Sequence, residues 1–145
     1  MKNITNYEYW KKGSKFLGTR YPIISGAMTW ISDSKLVRSV GDAGGLGVLA
    51  AGNMPVELLG NEIDSLNHLT IPYAVNLITN APNYLPHLHL AVEKKAPIIV
   101  FAGSFPRKEE IEIAKSSGAK VMCFASTESI AERMIGYGTD GLILE

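Results

Sequence analysis

The stretch YPIISGAMTWISDSKLVRSVGDAGGLGVLAAGNMP, residues 21–55, holds one complete strand–helix–strand unit and decides how the rest of the chain is read. It opens on the short apolar run Tyr21-Pro22-Ile23-Ile24, which breaks at Ser25-Gly26-Ala27-Met28. Asp33 then stands where a helix N-cap is wanted, since its carboxylate can accept from the first unpaired N–H groups, and Leu36, Val37 and Val40 share one helical face. Asp42-Ala43-Gly44-Gly45 closes the helix, with Gly44 or Gly45 as the left-handed residue after its last turn. A second apolar run, Leu46-Gly47-Val48-Leu49, ends at Ala50-Ala51-Gly52-Asn53. Both runs are nearly continuous rather than alternating, which is the pattern of strands covered on both faces.

The unit repeats to the end of the chain. Strand-like runs recur at Tyr73-Ala74-Val75-Asn76-Leu77, Pro97-Ile98-Ile99-Val100-Phe101, Lys120-Val121-Met122-Cys123-Phe124 and Leu142-Ile143-Leu144. Pro55, as an N1 proline, opens a helix with the stripe Leu58, Leu59, Ile63 and Leu66. Residues 83–94 carry Leu85, Leu88 and Val92 at helical spacing. Pro106 opens a further helix with Ile111 and Ala114, ended by Ser117-Gly118. Thr127-Glu128-Ser129 starts the last, with Ile130, Met134 and Ile135, closed at Gly136. Ahead of the first strand, Tyr7 to Phe16 is expected to form a helix laid against the bottom of the sheet. Alternating strands and helices build a parallel sheet with right-handed crossovers. Two architectures suit six such strands. A doubly wound open sheet would be complete at this length, whereas an eight-stranded barrel typically needs about 200 to 250 residues. Length by itself favours the open sheet.

The 145 residues are 46% hydrophobic and 19% charged, which fits a globular core and excludes a disordered chain. A formal net charge of +0 gives no electrostatic support to a nucleic-acid partner. The first residues, MKNITNYEYWKKGSK, contain no apolar signal-peptide core, and no apolar stretch approaches the roughly 20 residues of a membrane span. Cys123 is the one cysteine, so no internal disulfide can form. A cytoplasmic setting is expected.

In parallel α/β proteins function collects at the carboxyl ends of the strands. Here those ends carry Ser25-Gly26-Ala27-Met28, Ala50-Ala51-Gly52-Asn53, Asn76, Ala102-Gly103-Ser104 and Ala125-Ser126-Thr127. None of these residues is charged. Such a rim lets a flat neutral ring system, an isoalloxazine among them, approach the backbone closely, or simply makes tight βα turns. The GxGxxG and P-loop patterns are absent. Asn76 is a polar amide in an apolar strand. It is expected either to bond a neighbouring strand's backbone or to face a ligand, because buried polar groups are rarely unpaired. Met28, followed by Trp30, suits a core or a cofactor contact equally.

Conventional catalytic groups are scarce. His68 lies at the wrong end of the sheet, and His87 and His89 point to different helix faces, so all three are expected at the surface or in loops. Cys123 has no basic neighbour and is expected to be an inert core thiol. Arg107-Lys108-Glu109-Glu110 is expected to be a solvated helix start. No nucleophile–base pair or metal cluster emerges.

Taken in order, PII-x-GAM, AGGLGVLAAGN, PYAVNL, IIVFAGSFP, AKVMCFAS and GTDGLILE resemble the nitronate monooxygenase family, formerly the 2-nitropropane dioxygenases, and the related flavin-dependent enoyl-ACP reductases. The resemblance covers residues 18–145 and overrules the argument from length. It implies a (β/α)8 TIM-barrel fold, truncated after about six strands, with residues 1–145 as the N-terminal part of a single barrel domain holding non-covalent FMN at its C-terminal mouth. By position, Gly26, Ala27 and Met28 would lie against the flavin, Asn76 would bond its ring system and Gly103 would lie nearby. Ser25 and Ala27 replace the Gln, and the Gly or Pro, common in the family, which leaves substrate preference open.

In the family, alkyl nitronates are oxidised with O2 to a carbonyl compound and nitrite. A Gly-Gly-His histidine beyond the sixth strand takes part, so that residue is expected beyond Glu145. Three readings follow. One is a nitronate monooxygenase portion acting on a small-molecule substrate. Another is an enoyl-ACP reductase portion. The third is a non-catalytic α/β domain, favoured for the chain on its own, with poor stability or self-association through its open barrel edge.

Overall fold

The computed structural model describes residues 6–145, and side chains from Glu8 onward. The elements alternate throughout: α1 Asn6–Leu17, β1 Ile24–Ser25, α2 Ser34–Asp42, β2 Leu46–Ala50, α3 Val56–Asn67, β3 Tyr73–Ile78, α4 Tyr84–Glu93, β4 Ile98–Ala102, α5 Lys108–Ser116, β5 Lys120–Ala125, α6 Glu128–Gly136 and β6 Gly141–Leu144. All strand pairs are parallel, and the spatial order β1-β2-β3-β4-β5-β6 is the chain order. That order excludes the doubly wound sheet, which needs a reversal of direction to place helices on both faces. With right-handed crossovers and no reversal, every βα helix falls on the same face. The other face can be buried only if the sheet curls onto itself, and the result is the half-barrel of a TIM-type fold.

Side-chain alternation divides the core accordingly. Leu49, Val75, Leu77, Ile99, Phe101, Val121 and Cys123 point outward and pack with Val37, Leu59, Ile63, Leu88, Ile111 and Met134 of the helices. Leu46, Val48, Ala74, Ile98, Val100 and Met122 point inward and pack with one another. The inner layer is closed below by α1, whose Phe16 and Leu17 join it, while Lys120 Nζ donates to the Phe16 carbonyl from the foot of β5. Phe16 lies against Gly141, where an added Cβ would come 2.8 Å from its Cζ. The expected N-terminal helix is therefore a plug for the barrel floor. Gly47 serves a similar need on the outer face: a Cβ there would meet Val37 Cα at 2.6 Å, so α2 can sit directly on β2.

Caps fall where the sequence suggests. Asp33 accepts from Leu36 N at 2.9 Å and Thr127 from Ile130 N at 3.3 Å. Gly44 takes the left-handed position after α2, with φ +96°. Other expectations need correction. Pro55 is the N-cap of α3 rather than its first residue, and Arg107, not Pro106, precedes α5. Leu58, Leu85 and Ile135 are exposed, because the buried faces run through Leu59, Gly60, Ile63 and Leu66, through Tyr84, His87, Leu88 and Ala91, and through Met134. The first strand is two residues long and starts at Ile24. β1 and β6, the two edge strands, are not covered on both faces: Ile24 is 37% and Leu144 77% exposed.

Candidate functional site

At the carboxyl ends of the strands the half-barrel opens into a cavity of about 410 Å³. Its floor is the inner layer, Val48, Val100, Phe124 and Ile143, and its rim comes from the end of β3 and from the residues after β1, β4, β5 and β6. The structure brings Gly26, Ala27, Asn76 and Gly103 together around it; Met28 does not line it and is half exposed on the adjoining loop. Nothing stands within 4 Å of where a Cβ on Gly26 would project. Gly103 is held at φ +89°, and a Cβ there would strike Asn80 Oδ1 at 2.6 Å, so the turn after β4 requires glycine.

Asn76 bonds a neighbouring strand's backbone, one of its two expected behaviours, and it also lines the cavity. It is 6% exposed, and its Nδ2 reaches the Val100 carbonyl at 3.5 Å, a contact at the outer limit of a hydrogen bond. Its Oδ1 receives no bond from the protein. Among the described residues no buried side-chain polar atom lacks a partner, so this oxygen opens onto the cavity. A half-satisfied amide in an apolar wall is a site for a ligand with a complementary N–H or carbonyl edge.

Reading the sequence missed the residues that hold this rim in place. Ser32 is 2% exposed; its Oγ accepts from Met28 N at 2.9 Å and reaches the Gly26 carbonyl at 3.4 Å, while its own carbonyl accepts from Ala50 N. The β1–α2 loop is thus folded around one hydroxyl. Trp30, within that loop, has φ 63°, a left-handed backbone that bulky residues rarely adopt. Thr79 Oγ1 accepts from Ser104 N at 2.7 Å and ties the loops after β3 and β4 together. No sequence motif announces a hydroxyl in such a role.

Two charged or titratable residues depart from expectation. His87 is 1% exposed rather than on the surface, and its Nε2 lies 3.0 Å from the Met54 carbonyl of the β2–α3 loop. Burial lowers its pKa, against a smaller opposing effect from that hydrogen bond. His68 and His89 are exposed, as expected. Glu110 is likewise buried, not solvated. Its Oε2 accepts from Arg107 N at 2.7 Å and Tyr84 Oη at 2.9 Å, and its Oε1 accepts from the Arg107 guanidinium. Burial pushes this carboxyl up, but those three donors outweigh it and hold it below the usual carboxylate range. The run Arg107–Glu110 at the entry to α5 reads as uniformly charged, and only packing against α4 turns Glu110 inward.

Cys123 is fully buried among apolar neighbours, which raises its pKa and makes it the inert thiol expected. Among the described residues no three His, Cys, Asp or Glu side chains are grouped to hold a metal, and no helix is long and apolar enough to cross a membrane. Among the described residues Glu145 is the one charged residue lining the cavity. The wall is otherwise small, apolar or amide. That chemistry fits a flat, largely neutral redox ring, with Asn76 as its polar anchor and Gly26 and Gly103 leaving room for close approach.

Comparison with known proteins agrees with this architecture. A probable nitronate monooxygenase of Staphylococcus saprophyticus is 31% identical over 121 residues, covering 74% of this chain and 34% of its own. A (3aS,4S,5R,7aS)-5-hydroxy-7a-methyl-1-oxo-octahydro-1H-indene-4-carboxyl-CoA dehydrogenase of Mycobacterium tuberculosis is 26% identical over 133 residues, covering 91% and 37%. The structure of FabK from Thermotoga maritima superposes with a TM-score of 0.86 at 28% identity, covering 92% of this chain and 43% of FabK. The chain thus spans less than half the length of each of these proteins. The nitronate monooxygenase family model matches residues 11–92, more than half of the sequence. With six parallel strands in chain order and the match running through the first three of them, the chain belongs to the nitronate monooxygenase family.

Proposed function

We propose that this chain binds FMN at the mouth of its half-barrel and serves a flavin-dependent oxidoreductase, of the type that converts alkyl nitronates and O2 into a carbonyl compound and nitrite. The observation that carries the reading is the cavity at the strand ends, lined by small, apolar and amide groups apart from Glu145, with the Asn76 amide opening onto it between Gly26 and Gly103. Family membership and the oxidoreductase names of the relatives support it. FMN bound there would supply two-electron redox chemistry. The chain's own part is to orient and shield. Asn76 would bond the polar edge of the ring, Gly26, Ala27 and Gly103 would admit its face, and Met28 would cover it from the β1–α2 loop. Val100, Phe124 and Ile143 keep water from below. No histidine lines the cavity among the described residues, so the proton-handling group of the family's reaction is assigned to none of them. The unpaired Cys123 suits a reducing, cytoplasmic setting.

A second reading, a thioester-linked substrate reduced or oxidised through the same flavin with a nicotinamide partner, draws support from the carboxyl-CoA dehydrogenase relative. The test is FMN titration followed by quenching of flavin fluorescence, on the wild-type chain and on Asn76→Ala and Gly26→Val. Losing one hydrogen bond should weaken binding roughly tenfold, the equivalent of about 1.4 kcal/mol. Gly26→Val should block it with no loss of stability, because its side chain projects into open space. Equal FMN affinity in all three proteins would refute the site. Nitrite release from propyl-2-nitronate, against NADH consumption with a crotonyl thioester, separates the two reactions.

A further inference from the structure

We infer that Phe105 sets the length of substrate that the cavity accepts, by closing its β4 side with an aromatic wall on a loop that cannot swing away. This rests on the cavity being the ligand site proposed above. Phe105 is 46% exposed and yet borders three spaces at once: the central cavity of about 410 Å³ and two flanking grooves of about 360 Å³ each. It is the partition between them. The central cavity and the groove beside Tyr84 and Leu85 have only Ser104 and Phe105 in common.

The partition is fixed from both sides. Before it, Gly103 makes its turn at φ +89° and the Ser104 N–H is bound by Thr79 Oγ1 at 2.7 Å. After it comes Pro106, which is buried and restricts its own φ. Then Arg107 N is bound by Glu110 Oε2, which Tyr84 Oη also holds from α4. Two anchored N–H groups three residues apart leave the phenyl ring little freedom except rotation about its own bonds. A ring half in water has apolar area still to bury, and a ligand's alkyl portion in the central cavity is the surface that meets it. The substrate class that fits is a compact molecule with a small planar polar head and a short apolar body ending against Phe105. Bodies longer than the cavity are rejected, because the groove beyond lies behind the ring.

The test uses linear alkanoates, propanoate, hexanoate and decanoate. A carboxylate shares the planar two-oxygen anionic form of a nitronate and does not react. Binding to the wild-type chain, Phe105→Ala and Phe105→Leu is followed by ligand-observed NMR line broadening, with and without FMN, and each variant is first checked by thermal melting. The wild type should bind hexanoate better than decanoate. Phe105→Ala should reverse that order, improving decanoate relative to propanoate at least tenfold, with FMN affinity within twofold of wild type, and Phe105→Leu should fall between. An unchanged length profile in both variants overturns the inference, as does the absence of alkanoate binding to every form. A shifted profile in a chain that binds no FMN would uphold Phe105 and refute the flavin reading. FMN binding with an unshifted profile would do the reverse.

Discussion

Replacing Tyr84 by Phe removes one oxygen and leaves the ring packed edge-on against Phe101, whose centroid is 6.3 Å away. What is lost is the 2.9 Å hydrogen bond from Tyr84 Oη to the buried carboxylate of Glu110. A hydrogen bond to a charged group contributes about 1.5 to 3 kcal/mol, against about 0.5 to 1.5 for a neutral pair. Tyr73 provides the internal control, since its hydroxyl donates at 2.6 Å to the neutral amide oxygen of Asn67. In urea denaturation at pH 7, Tyr84→Phe should therefore lower stability about twice as much as Tyr73→Phe, moving the midpoint by roughly 1 M. In a Glu110→Gln background most of the Tyr84→Phe effect should vanish, because the charge it depends on is gone. The pH dependence has a definite sign. Glu110 has its carboxyl lowered in the folded protein, so the unfolded chain takes up this proton first as the solution is acidified. The clamp's stabilisation is complete above the ordinary glutamate value of about 4.3 and drains away as pH falls through it toward the folded value. The gap between Tyr84→Phe and wild type should accordingly narrow in acid below that point. Equal losses for the two tyrosines, or full additivity with Glu110→Gln, would refute the claim that a buried charge organises the β4–α5 loop.

Gly47→Ala should lower stability by about 1 to 3 kcal/mol, because the new Cβ would meet the Val37 Cα at 2.6 Å and its carbonyl oxygen at 2.7 Å, and backbone cannot rotate away; a urea midpoint within 0.2 M of wild type would count against the close α2–β2 contact. His87 is buried neutral with a lowered pKa, so its contribution is intact above the unfolded histidine value of about 6.5 and falls as pH drops below it. A His87→Gln variant should then show a flatter stability profile between pH 7 and pH 5 than wild type, and parallel profiles would show that the ring is protonated without cost.

The strand–helix rhythm was legible in the sequence because it rests on local features that tertiary packing rarely overrides. Apolar runs of strand length, Asp33 and Thr127 as caps, and Gly44 after α2 all act within a few residues of themselves. The rim residues Gly26, Ala27, Asn76 and Gly103 were legible for a related reason: the carboxyl end of a strand is a position along the chain, and the cavity is built from such positions. Helix faces were less legible. Leu85 and Tyr84 are adjacent and both apolar enough to bury, so periodicity alone could not say which one faces the sheet.

By itself, then, the sequence determined a parallel α/β chain of six strands and the uncharged character of its strand ends, since both follow from local pattern and residue chemistry. Curl followed from no local pattern: the sequence pointed to a barrel only through its family resemblance, and the physical cause of the curl lies in three dimensions. Strand order in space follows no local signal, and it is that order which puts all the βα helices on one face and forces the other to close over Phe16 and Leu17. The same holds for His87 and Glu110. Each is a polar residue whose burial became tolerable only when a partner from a distant element, the Met54 carbonyl or the Tyr84 hydroxyl, was brought to hydrogen-bonding distance.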